Sequence, residues 1–134
     1  MRRSPRAGAG LAGQGGRPRA RHQRWGRGHL AQRQGRGGRC QEYALALALA
    51  LDGAPAISAL AADADGIDGG EGKPTDAAGA TIDPTTLAGV RHLDAKNFLH
   101  TNDATSFFEA AGGLIVRGPT DTNVNEFRII LVDA

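Results

Sequence analysis

Residues 35–53, GRGGRCQEYALALALALDG, run a loop of glycine and arginine straight into the most apolar segment of the 134-residue chain. The strict alternation of Ala and Leu reads at face value as a strand of period two. The residue types say otherwise, because Ala and Leu head the helix scale and Ala is depleted from strands. Gln41 and Glu42 fall in a first turn, where a carboxylate suits the helix dipole, and Asp52-Gly53 supplies a stop. The segment therefore reads as a helix. Leu45 and Leu49 would lie on one side with Leu47 and Leu51 nearly opposite, so this helix is expected to be apolar all round and buried between layers.

Downstream, AISALAAD after Pro55 reads as a buried strand, and DADGIDGGEGKPTD as a loop of Gly, Asp and Pro. AGATID alternates weakly and is a second strand stopped by Pro84. DPTTLAGVRHL predicts a helix with Asp83 as cap and Pro84 at its first position. DAKNFLHTNDATSFFEAAGG predicts two short helices, the second capped by Asn102 or Asp103, with Phe107 and Phe108 inward and Gly112 as its stop. LIVRG and EFRIILV read as strands separated by PTDTNVN. The pattern is α/β, with about four strands and three or four helices.

Three constellations could carry chemistry. A Gly-rich loop entering a helix exposes N–H groups and the positive end of a dipole, an arrangement that attracts phosphate. Arg36 and Arg39 could add bidentate contacts to that anion, although no Gly-Lys-Ser/Thr follows as a Walker loop requires. The competing reading is a basic linker. In DADGIDG, Asp63, Asp65 and Asp68 either hold Mg²⁺ or a polyhydroxy substrate, or form a turn that uses Asp-Gly for backbone reasons. An EF-hand is excluded by Ile67 and Pro74 at two ligand positions. Thr120, Thr122, Asn123 and Asn125 either simply connect two strands or point a polar loop at a ligand.

Charge divides the chain near Cys40. Residues 1–40 hold eleven arginines and no acid, whereas residues 41–134 hold five basic and fourteen acidic residues, a net of −9. The overall +2 describes neither half. GAGLAG and GRGHLA mimic a dinucleotide fingerprint, but neither sits between a buried strand and a helix, as that fingerprint requires. Arginine interspersed with Gly and Trp25 could neutralise nucleic-acid phosphates, yet one aromatic gives little base stacking. A solvated, unstructured tail is the preferred reading. The single cysteine excludes an intrachain disulfide or a cysteine metal cage. The longest apolar run, Tyr43–Leu51, is about half of a membrane span, and the start lacks the apolar core of a secretory signal. Arginine without acid is shared with mitochondrial transit peptides, but the segment has little Ser and too much Gly for an amphipathic helix.

GRGGRCQEYALALALALDG, ALAADADGIDGG, DAAGATIDPTTLA, NDATSFFEA and LIVRGPTDTNVNEFRIILV stand in the order found at the carboxyl end of glycerate 2-kinases. From Gly35 to Ala134 the chain resembles that segment, known as the MOFRL domain, some members of which carry the name hydroxypyruvate reductase. The resemblance implies a two-domain enzyme that transfers the γ-phosphate of ATP to glycerate, with Mg²⁺, in a cleft between domains. A catalytic lysine would lie in an amino-terminal kinase domain without counterpart here. The arginine of the family's GRGGRNQE motif is regarded as catalytic, and Arg39 matches it. Asp63, Asp65 and Asp68 match the family's acidic turn, and Thr122 and Asn123 its polar loop. Cys40 stands where Asn is usual, and GGEGKPTD is longer than the usual loop.

The expected organisation is an α/β domain over residues 35–134, a small mixed sheet with flanking helices, behind a disordered basic leader over 1–34. The family's strand before Gly35 is not evident; codons for His29–Gln34 read one base later can encode Thr-Ser-Pro-Asn-Val-Arg, which is close to it. The leader is thus a candidate for out-of-frame reading. The functional expectation is a fragment of a cytoplasmic glycerate 2-kinase, inactive alone, with glycerate as substrate, the missing kinase domain as partner, and no nucleic acid or membrane. The alternative is an interaction protein whose arginine tail binds nucleic acid.

Overall fold

The computed structural model describes residues 35–134, so the expectations placed on the leader, including its two glycine fingerprints and Trp25, lie outside the described residues. Helix α1 (Arg39–Leu51) is followed by β1 (Ile57–Asp63), β2 (Ala77–Ile82), a 3₁₀ turn (Ala88–Val90), α2 (Ala95–His100), α3 (Ala104–Ala111), β3 (Leu114–Val116) and β4 (Glu126–Val132). The Ala-Leu ladder is helical, as its residue types require. It ends on Asp52 in the left-handed region, whose N–H returns to the Ala48 carbonyl at 3.0 Å. Leu47, Leu49 and Leu51 pack against the core, so the expectation of a helix covered all round fails only along one exposed stripe. Gln41, Ala44, Leu45 and Ala48 form the buried stripe on the sheet, while Ala46 and Ala50 remain exposed.

The four strands lie in the order β3-β2-β1-β4, and every ladder is antiparallel. The α/β class holds, but the sheet is antiparallel rather than mixed. The excursion through α2 and α3 ends where Thr81 N–H meets the Gly113 carbonyl, at the end of β2 from which it departed. The next strand therefore runs back alongside β2, whereas a parallel neighbour would need a crossover along the sheet.

Residues 83–93 do not form the predicted α-helix. Asp83 accepts from both the backbone N–H and the hydroxyl of Thr85, at 2.7 and 2.6 Å, and only the short 3₁₀ turn follows. Two β-branched threonines and Gly89 are weak helix formers, and the Asp83 side chain offers the backbone a competing turn.

The core lies between α1, α3 and the face of the sheet carrying Ala80 and Ile82. Phe107 and Phe108 point inward as expected, both fully buried, with rings 5.2 Å apart edge to face. Phe98 of α2 packs edge-on against Phe107 at 6.0 Å. Gly112, at φ 83°, stops α3 and donates to the Phe108 carbonyl at 2.8 Å.

Candidate functional site

Three segments meet where β1 ends and β4 begins: the Gly35–Gly38 loop with the start of α1, the acidic turn, and the polar loop before β4. Asp68 joins the first two. Its Oδ1 accepts from Cys40 N at 3.0 Å, and its Oδ2 from Gln41 N at 2.8 Å and Gln41 Nε2 at 3.1 Å. Asp68 is 4% exposed, so α1 is capped by a buried carboxylate from a distant loop. Gly38 is required at the junction, because a β-carbon there would run into that carboxylate. The N–H groups of Cys40 and Gln41 are thus already engaged by this carboxylate.

The two loop arginines have different surroundings. Arg36 forms a fork with Glu109, Nη1 to Oε1 at 2.8 Å and Nη2 to Oε2 at 2.6 Å, and also donates to Ser106. The Glu109 hydrogen bond, then its charge, holds the Arg36 pKa above its usual value, and the same bond holds Glu109 below the usual carboxylate value. Arg36 lines a groove of ≈ 750 Å³ between α3, β3 and the loop after Asp68. Arg39 stays 68% exposed and its one ion pair among the described residues is loose, Nε to Glu126 Oε2 at 3.8 Å. Its guanidinium is the more available of the two.

Glu126 organises the start of β4, accepting from Arg128 Nη2 at 2.9 Å and lying 3.7 Å from the Cys40 thiol. Arg128 in turn stands 4.0 Å over the Tyr43 ring. Asp63 faces Glu126 across the β1–β4 ladder. Burial, followed by the charge of Asp65, pushes its carboxyl above the ordinary range. Asp65 acts within its own turn, where its Oδ1 accepts from Ile67 N at 2.8 Å.

The polar loop is fastened to the acidic turn. Thr120 Oγ1 donates to the Ala64 carbonyl at 2.5 Å, Thr120 N to the Asp65 carbonyl at 3.1 Å, and Ala64 N to the Asn125 carbonyl at 2.8 Å. Gly66, at φ 90°, lies so close to the Gly118 carbonyl that no side chain would fit. Thr122 and Asn123 form the exposed tip; Asn123 Oδ1 accepts from Asn125 N at 3.1 Å.

Arg39, Asp63, Asp65 and Asp68 therefore gather at one end of the sheet beside this loop, while Arg36 belongs to the groove beside α3. Reading the sequence missed Gln41, Glu126 and Thr105. Gln41 is 1% exposed and accepts from Thr105 Oγ1 at 2.5 Å, tying α1 to α3. Gln41 sits in the polar first turn beside Glu42, where nothing local marks it as buried, and Glu126 gave no signal beyond its position.

Residues 28–126 match the MOFRL family. The chain belongs to that family. The match starts seven residues before Gly35 and ends on the first residue of β4. The D-glycerate 2-kinase of Thermotoga maritima is 40% identical over 100 residues, covering 73% of this chain and 23% of its own length. The glycerate 2-kinase of Pyrococcus horikoshii is 38% identical over 100 residues, with 73% and 22% covered. A protein of Agrobacterium vitis labelled hydroxypyruvate reductase is 48% identical over 104 residues, with 76% and 23% covered. The crystal structure of glycerate kinase from T. maritima matches with a TM-score of 0.68 at 40% identity, over 74% of this chain and 23% of that one. This MOFRL chain thus spans about a quarter of its relatives' length. No helix among its described residues is long and apolar enough to cross a membrane.

Among the described residues, the cluster whose ligand atoms lie close enough to share a cation does not suit Mg²⁺. Cys40, Asp63 and Asp68 bring ligand atoms within 4.8 Å of one another, but the oxygens of Asp68 already accept three N–H bonds. The Cys40 thiol, its pKa pushed up by burial and then by Asp68, is both protonated and too soft a donor for a hard cation.

Proposed function

We propose that this chain is the MOFRL portion of a glycerate 2-kinase, an enzyme that moves the γ-phosphate of ATP to glycerate. The observation that carries the reading is the contrast between the two arginines. Arg39 leaves a helix start fixed by Asp68 and presents an exposed guanidinium with only a loose partner, whereas Arg36 is held by Glu109. Charge spreads over the phosphoryl oxygens during transfer, and a positioned guanidinium lowers the barrier by meeting it. Asp68 is a positioning residue here, with its substrate-binding role replaced by a cap. Asp63 and Asp65 form the acidic wall that orients a hydroxylated acid, and Thr122 and Asn123 supply exposed polar groups at its rim.

ATP, its Mg²⁺ and the catalytic lysine belong to the part of the enzyme this chain does not span. The chain alone does not turn over, because phosphoryl transfer needs nucleotide, metal and acceptor held together. The same reading places the protein in the cytoplasm, where ATP and small organic acids meet. The test is to fuse the 134-residue chain behind the portion of the T. maritima kinase that it does not match. ATP-dependent phosphorylation of glycerate by the fusion, and none by the chain alone, is expected. An inactive, folded fusion would overturn the proposal.

A further inference from the structure

The sequence of β4 and its place in the sheet disagree. EFRIILV ends in four consecutive apolar residues, a pattern of strands covered on both faces. Yet β4 is an edge strand paired only with β1. Ile129 and Leu131 are 56% and 57% exposed on one face, and Ile130 and Val132 are 53% and 66% exposed on the other.

Natural edge strands are protected by brevity, bulges, proline or charge. The opposite edge follows that rule, since β3 has three residues and a register shift against β2. β4 does not. It keeps seven unbroken pairs with β1, and its two charges, Glu126 and Arg128, are paired with each other. Opposite the helices, Leu60, Ile129 and Leu131, with Ser58, Thr81 and Asp83 at its polar side, line a depression of ≈ 310 Å³.

We propose that β4 is a docking strand, accepting an extended strand along its free edge and apolar cover from the part of a MOFRL-family kinase that this chain does not span. The inference rests on the kinase reading above. Two observations select this occupant. The T. maritima relative has more than three quarters of its length outside the match, ample chain to cover β4. The surface is also continuous with the candidate site, because Glu126 at the head of β4 pairs with Arg39. A strand paired along the whole length of β4 would therefore reach Glu126 and end beside that guanidinium.

The test mixes the full 134-residue chain with the separately folded, unmatched portion of the T. maritima kinase and follows amide hydrogen exchange. Exchange across Phe127–Val132 should slow at least tenfold on mixing, while Leu114–Val116 is unchanged. Ile130→Lys and Leu131→Lys, each at an exposed position, should keep native circular dichroism and weaken the complex at least tenfold. A complex with unchanged β4 exchange, wild-type affinity in both variants, or no complex between folded partners would overturn the proposal. So would concentration-dependent protection of β4 in the chain alone, which would make a second copy the occupant. The fusion separates this failure from that of the kinase reading. Turnover with unprotected β4 sinks only the docking strand, and protected β4 without turnover sinks only the chemistry.

Discussion

Asp68 and Gln41 are joined by three hydrogen bonds: Gln41 N to Oδ2 at 2.8 Å, and Gln41 Nε2 to Oδ2 at 3.1 Å and to the Asp68 carbonyl at 3.0 Å. Both residues are nearly inaccessible to water. This pairing decides where α1 begins, and hence where Arg39 projects. Removing the carboxylate leaves buried N–H groups without an acceptor. Asp68→Ala should destabilise the domain by about 3 kcal/mol, and Asp68→Asn by less because one acceptor oxygen survives. Urea denaturation measures both. A loss below about 0.5 kcal/mol for the alanine variant, the scale of an ordinary surface change, would remove Asp68 from the framework.

Asp63 gives a pH signature. Burial and the Asp65 charge raise its folded pKa, so the native state binds the extra proton between the unfolded and folded values. The stability associated with this group is present below the ordinary aspartate range and is lost as pH rises through the folded pKa. Asp63→Asn should therefore raise Tm relative to wild type at neutral pH, with the gain vanishing in acid. A difference that is constant with pH would contradict the assignment.

Phe107 should be the most sensitive core position tested, because it is fully buried and touches both Phe98 and Phe108. Phe107→Ala is expected to cost about 3–5 kcal/mol. Thermal unfolding monitored by circular dichroism reads this directly, and a shift of only a degree or two would mean that the aromatic cluster is not the core.

Cys40 should be chemically quiet. Its thiol is buried among Asp68, Glu126 and Asp63, which keeps it protonated. Iodoacetamide at pH 8 should label the folded chain far more slowly than the urea-unfolded chain. Equal rates would place the thiol in solvent.

These tests also mark what was legible in the sequence. Ala and Leu composition outweighed their alternation because intrinsic preference is strong over a helix of 13 residues. Phe107, Phe108 and Gly112 were legible for the same local reason. The sheet direction was not, since it depends on where the α2–α3 excursion returns. The cap on α1 was hidden because Asp68 reaches Cys40 from 28 residues away. Arg36 and Arg39 look alike in a glycine loop, and only Glu109, 73 residues from Arg36, tells them apart. Local chemistry was readable, but the long-range partners that assign roles within it were not.

The most direct measurement is the turnover of the fused kinase with changes at Arg39. Arg39→Ala should lower kcat by about a hundredfold or more, the usual effect of losing a group that stabilises developing charge. Arg39→Lys should recover only part of it, because the planar fork is lost. Arg36→Ala should have a smaller effect on kcat, since its guanidinium is held by Glu109. Wild-type turnover in the Arg39→Ala fusion would contradict the account at its centre.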